Sequence, residues 1–354
     1  MSTKRFTWLL VVVSALFLAV GAASCGGGDD DGGGGGDSIK VGLVTDTGGV
    51  DDRGFNQFSI AGLDKAAEDL DIDKRVYVSN SADDYEPNLE AAVDDGNDLV
   101  IAVGFLLAPS TIKVATANPD VSFAGVDHFY GPPGDKTCTE SKTCAVDNAL
   151  GMIFPTEEAG YLAGVVAALT TKTNTVSTVG GIKIPPVDNW IAGYQAAVKK
   201  TKPNVKLLNA YSNDFNDAAK CKEIALDQIN QGSDVVFQVA GDCGLGALDA
   251  ACEKNVTAIG VDADQSAQGS CVVTSALKPL TDSVFEVIKA FQAGDFKGGT
   301  NNFYGVEQLP DAPLLAPYQG NVPAAAKKAV EDAQAKLVDG TIDPPATIEE
   351  VKKS

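Results

Sequence analysis

Glycines, carboxylates, amides and aromatic residues recur in short polar stretches along this chain, each following a short apolar run. Asp46-Thr47-Gly48-Gly49 and Gly54-Phe55-Asn56 come first, then Gly104-Phe105 and Asp127-His128. Further on stand Gly180-Gly181, Asn213-Asp214-Phe215-Asn216-Asp217, Gly241-Asp242-Cys243-Gly244, Asp262, and Ser275 with Lys278. Such residues favour recognition over bond-making. Carboxylates and amides fix polar edges, aromatic faces stack on flat groups, and glycines such as Gly241 admit a ligand close to the backbone. His128 is the only histidine, so histidine-dependent acid–base or zinc chemistry has almost no material. No nucleophile stands in a recognisable elbow, and Asp51-Asp52 point in different directions on a loop or a helix start. Gly241, Gly244 and Gly246 lack the Lys-Ser/Thr pair of a phosphate loop, and Asp242 would repel an anion. The inventory points to a neutral small molecule, and to no enzyme, metal or cofactor.

The apolar runs before these stretches read as strands at 39–44, 76–79, 99–103 and 121–126, then at 175–179, 205–210, 234–239, 258–261 and 271–276. Helical spacing separates them at 55–70, 88–94, 109–117, 156–169, 190–200, 217–231, 245–253 and 280–293, with a last helix at 322–338. In the first, Phe55, Phe58, Leu63, Ala66, Ala67 and Leu70 recur at the period of one helix face. Regular strand–helix alternation predicts parallel sheets covered on both faces. Two runs of four units predict two similar α/β lobes, with a single eight-stranded barrel as the alternative. Ligands of doubly wound sheets bind beyond the carboxyl ends of the strands. The polar stretches fall at those ends, which places a site between the lobes.

The first residues are of a different kind. Lys4 and Arg5 precede an apolar stretch over 8–20, too short for a membrane span of about 20 residues, and small residues close it. This reads as a signal peptide over 1–24. Ala22-Ala23-Ser24-Cys25 resembles a bacterial lipobox, which implies a lipid on Cys25 and a membrane-anchored, extracytoplasmic chain. The Gly/Asp-rich stretch 25–38 cannot pack and reads as a flexible tether of about 20 Å reach. Its Asp29-Asp30-Asp31 lacks the spacing of a calcium loop. A net charge of −21, or −23 without Lys4 and Arg5, argues against nucleic acid as a partner.

The stretch Val44-Thr45-Asp46-Thr47-Gly48-Gly49-Val50-Asp51-Asp52-Arg53-Gly54-Phe55-Asn56-Gln57 resembles the opening signature of the basic membrane protein family of nucleoside-binding lipoproteins. Similar matches follow in order: Phe123-Ala124-Gly125-Val126-Asp127, Glu158-Ala159-Gly160-Tyr161-Leu162-Ala163-Gly164, Gln238-Val239-Ala240-Gly241, Gly260-Val261-Asp262-Ala263-Asp264-Gln265 and Thr274-Ser275-Ala276-Leu277-Lys278. The resemblance spans 39–340. It implies a type I periplasmic-binding-protein fold, with one lobe over 39–148 and 276–303 and the other over 149–275 and 304–354. It also implies a purine nucleoside as ligand and an ABC importer, with permease and ATPase subunits, as partner. The chain reads as a monomer. Alternatives are a sensing or surface-interaction lipoprotein of the same fold without transport, and a receptor for another small neutral solute. By the same resemblance Phe55 is one of two rings that sandwich the base, Asn56 and Asp127 meet its edge, and Asp262 and Lys278 hold the ribose hydroxyls. Asp46 contacts the sugar or steadies its loop. Phe215 is taken as the second ring ahead of Trp190 and Phe237, although segment 212–217 has one residue more than the family pattern.

Seven cysteines less Cys25 leave six, an even number that suits an oxidising compartment. Cys138 and Cys144 flank one polar loop. Cys221, at a helix start, and Cys243, just after a strand, lie at the same end of the second lobe. Cys252 and Cys271 lie at its opposite end. The expected pairs are therefore Cys138–Cys144, Cys221–Cys243 and Cys252–Cys271.

Overall fold

A computed structural model describes residues 38–131 and 146–353. The signal peptide, Cys25, the tether and the Cys138–Cys144 pair lie outside the described residues. The first half alternates β1 (Lys40–Val44), α1 (Phe55–Leu70), β2 (Asp73–Tyr77), α2 (Tyr85–Asp94), β3 (Leu99–Val103), α3 (Ala108–Ala117), β4 (Ser122–Val126) and β5 (Ala149–Ile153). Next come α4 (Thr156–Thr170), β6 (Thr175–Gly180), α5 (Pro185–Thr201), β7 (Lys206–Tyr211), α6 (Ala218–Asn230), β8 (Val235–Val239), α7 (Gly241–Glu253), β9 (Thr257–Asp262) and β10 (Val272–Leu277). The chain ends through α8 (Leu280–Gln292), β11 (Thr300–Phe303), α9 (Ala324–Val338) and α10 (Ile348–Lys353).

Two parallel sheets result, in the orders β11-β5-β4-β3-β1-β2 and β10-β9-β8-β6-β7. The barrel alternative is thereby corrected. The buried strand β3 is a continuous apolar run, and β8 is one but for Gln238, as expected where helices cover both faces. The chain passes between the sheets after β5, after β10 and after β11, and α8 packs its apolar face on the core beneath the first sheet.

These passages move the boundaries drawn from sequence. β5 pairs with β4 from Phe123↔Ala149 to Val126↔Met152, so the first body runs on past residue 148. β10 stays beside β9 through Leu277↔Asp262, so the return falls after Leu277 instead of at 276. β5 escaped notice because Gly151 interrupts its apolar run. The polar edge strand β11 offers no apolar alternation to read.

Helix packing accounts for the Glu158–Gly164 motif. A Cβ at Gly160 would stand 2.3 Å from the Trp190 carbonyl oxygen, and one at Gly164 would stand 2.3 Å from that of Tyr194. The two glycines lie one turn apart on α4 and let its backbone meet that of α5. That contact fixes the start of α5, which carries Val187 and Trp190 to the ligand cleft described below.

The disulfides Cys221–Cys243 and Cys252–Cys271 are both present, with Cα separations of 5.5 and 5.1 Å. The first joins the starts of α6 and α7. The second joins the last turn of α7 to the residue before β10.

Candidate functional site

Loops at the carboxyl ends of β1, β3 and β4 face those of β6, β8 and β9 across a cleft of roughly 610 Å³, counting the solvent space at its mouth. From the first sheet come Asp46, Phe55, Phe105 and Asp127; from the second come Trp190, Phe215, Gly241, Asp242 and Asp262; Lys278 lies where the chain passes between them. The Gln265 side chain donates from Nε2 to the Arg53 carbonyl oxygen at 3.3 Å, linking the two sides.

Asp127 and Asp262 each stand just beyond or at a strand end with left-handed backbone, φ +63° and +66°. Aspartate tolerates this region better than most residues, and such strain collects at binding sites. The Asp127 amide donates to the Met152 carbonyl at 2.9 Å, and the Lys278 amide donates to that of Asp262 at 2.9 Å. The Lys278 ammonium donates to both Asp127 oxygens, at 2.8 and 2.6 Å. Its Nζ also lies 4.7 Å from the Phe55 ring centre and 4.6 Å from that of Phe154. The side chains of this pair are only 2% and 8% exposed, so the charges belong to each other before any ligand arrives.

The other carboxylates differ in what they lack. Asp52 accepts from the amides of Gly54, Asn56 and Gln57 and so starts α1. Asp46 accepts from the Tyr85 hydroxyl and, at 2.7 Å, from the Thr47 amide, both on Oδ1. Burial raises its carboxyl to about 6 against those two hydrogen bonds, with Asp127 adding repulsion. The Asp262 side chain has no hydrogen-bond partner among the described residues. Burial, then Asp127 and Asp52, push it up to about 7 despite the pull of Lys278.

Phe215 rests on Gly181, where a Cβ would stand 2.3 Å from the ring's Cε1. Only glycine lets the ring lie so low. Gly241, at φ +58°, faces the same ring. Trp190 joins the lining. Phe237 does not: it is fully buried and stacks on Tyr194 with ring centres 5.2 Å apart.

A family model described as ABC transporter substrate-binding protein, PnrA-like (Bmp), matches residues 39–309. The chain belongs to this PnrA-like family. It is 36% identical to the CD4+ T-cell-stimulating antigen of Listeria monocytogenes, over 86% of this chain and 87% of that one. It is 32% identical to the ABC transporter nucleoside-binding protein BmpA of Lactococcus lactis, over 87% and 89%. Among solved structures, an ABC transporter solute-binding protein from Aeropyrum pernix superposes with a TM-score of 0.74 at 24% identity, covering 89% of this chain and 96% of that one. The two-sheet arrangement is thus the periplasmic-binding-protein fold expected from the resemblance.

The residues expected at the site do not all reach the cleft. Asp46, Phe55, Asp127, Phe215, Gly241, Asp262 and Lys278 line it; Asn56 does not. Its side chain, 1% exposed, accepts from the Asp46 amide at 3.1 Å and donates to the carbonyls of Asp46 and, at 3.0 Å, Gly49. The amide is spent on the β1–α1 loop, so the base-edge contact expected of it is corrected to loop bracing. His128 is likewise structural. Its Nε2–H donates to the Gly104 carbonyl at 2.8 Å, Nδ1 accepts from Tyr130, and burial drops its pKa to about 4. Phe105 and Val187 were not singled out as site residues. Gly104-Phe105 at a strand end signalled the first, whereas Pro185-Pro186 starts α5 five residues before its readable periodicity and concealed the second.

Proposed function

We propose that this PnrA-like substrate-binding protein captures a neutral purine nucleoside and passes it to a permease and ATPase. The observation that carries the reading is Asp262, a carboxylate without a hydrogen-bond donor among the described residues, set in a cleft lined by aromatic rings from both sheets. A vicinal diol would supply the missing donors, and Lys278, on the same lining, has a third N–H to offer that sugar. Phe55 and Phe215 offer faces to a base, each stack being worth roughly 1–3 kcal/mol. Closure over such a ligand gives the permease a shape to distinguish from the empty receptor. The lipobox-like Cys25 and its glycine tether fit a receptor held at the outer face of a membrane.

Calorimetry on the mature chain tests the ligand. Adenosine, guanosine or inosine should bind tightly, and Phe55→Ala should weaken that binding about tenfold. Heat from a monosaccharide or a free amino acid, with none from any nucleoside, would overturn the reading. For the anchor, Cys25→Ser should leave these heats unchanged while the chain leaves the detergent phase. Equal partitioning of wild type and variant would rule the anchor out.

A further inference from the structure

We infer that the Cys221–Cys243 disulfide positions the Phe215 face of the cleft in addition to stapling the fold. Cys243 is the third residue of α7, and the first two, Gly241 and Asp242, line the cleft. Cys221 lies in the first turn of α6, directly after the segment 212–217 that carries Phe215. The crosslink therefore ties together the two helix starts that flank the ring, both cysteines being fully buried. Cys243 also donates its amide to the Phe215 carbonyl at 2.9 Å, so one residue holds the ring's backbone and bonds covalently to Cys221. The other bonds of the segment do not reach α7. Asp214 Oδ1 accepts from the Asn216 and Asp217 amides, and the Asn213 amide reaches the Gly181 carbonyl on the β6 side.

The protein contains its own control. Cys252–Cys271 closes a span of 19 residues, against 22 for Cys221–Cys243. Loop-closure entropy makes two such crosslinks nearly equal in their effect on the unfolded chain. Cys252 and Cys271, however, sit at the far end of α7, and neither lines the cleft. The two pairs should match in stability and differ in binding.

The binding arm of the test rests on the nucleoside reading. C221A/C243A should raise the inosine Kd about tenfold, whereas C252A/C271A should change it less than about twofold, with similar losses of Tm. In a Phe215→Ala background, C221A/C243A should cost less than about a further twofold, because the ring through which it acts is gone. An additive loss there, or equal affinity in the two pair variants, overturns the inference. Amide exchange without ligand gives an arm independent of that reading: protection at 213–217 and 241–246 should fall in C221A/C243A and persist in C252A/C271A. If wild type binds no nucleoside, the nucleoside reading fails by itself and exchange alone decides; indistinguishable exchange in the two variants refutes the inference. Should C221A/C243A not fold, C221V/C243A, which refills lost volume, takes its place in both arms.

Discussion

Replacing Asp262 with alanine is expected to weaken inosine binding about a hundredfold, the loss of two hydrogen bonds to a charged acceptor. It should also remove most of the pH dependence near neutrality. A hydroxyl that donates to this carboxylate needs it ionised, yet in the free chain its pKa stands at about 7. Below that value the ligand must displace a proton, so wild-type affinity falls as pH drops through 7. The stability of the free protein runs the opposite way. Folding raises the Asp262 pKa from 3.8, so the folded state holds the extra proton between those values, and stability is lost as pH rises through 7. Calorimetry from about pH 5.5 to 8 reads the first trend and thermal melts read the second. Affinity for inosine that is flat across the range, or unchanged in Asp262→Ala, would remove Asp262 from the ligand contacts. A nucleoside monophosphate should bind at least about tenfold more weakly than its nucleoside, since a phosphate would face Asp46, Asp242 and Asp262 while Asp127 already occupies Lys278.

Asp127→Ala should cost about 3–5 kcal/mol of stability, the largest loss expected of any cleft substitution. The reason is what it leaves behind: an ammonium only 2% exposed, between two phenyl rings, without its carboxylate. Removing both charges in Asp127→Ala/Lys278→Met should restore most of that loss, because the double variant buries no unpaired ion. Urea unfolding of the two variants decides the matter. A loss below about 1 kcal/mol in the single variant would mean that Lys278 finds Asp262 or water instead, and the pair would not be the fixed unit described.

The outline of the fold was legible where chemistry is repetitive. β3, at 99–103, and α1, at 55–70, fall where apolar continuity and helical spacing put them, because buried parallel strands and one-sided helices leave strong periodic traces. The polar edge strand β11 left none, and the break was drawn at 148, ahead of β5, because the polar stretch of sequence before that strand reads like a domain boundary. In the site, carboxylates and rings at strand ends were readable from topology alone. What each side chain is committed to was not. Asn56 and Asp127 both looked like free ligand groups, yet one is consumed by backbone carbonyls ten and seven residues away and the other by a lysine 151 residues away. Hydrogen-bond demand is settled in three dimensions, where sequence spacing is silent. The disulfides were an easier case, because the end of the sheet at which a cysteine lies follows directly from strand direction.

The hydrogen bond from Gln265 to the Arg53 carbonyl, 3.3 Å long and uncharged, is one contribution to holding the two sides of the cleft together. A bond of this kind is worth about 1 kcal/mol, so by itself it would favour a shut form over an open one by only about fivefold. Held by this bond alone, an unliganded molecule would open often enough to admit solute, and its shut form would be common enough to compete for the transporter. The tenfold-and-larger ratios that separate loaded from empty receptors must come from the ligand itself, through bonds such as those Asp262 still lacks. A variant such as Gln265→Ala would then shift the resting ratio towards the open form, and transport would be tuned by a residue whose bond across the cleft is made to the chain itself.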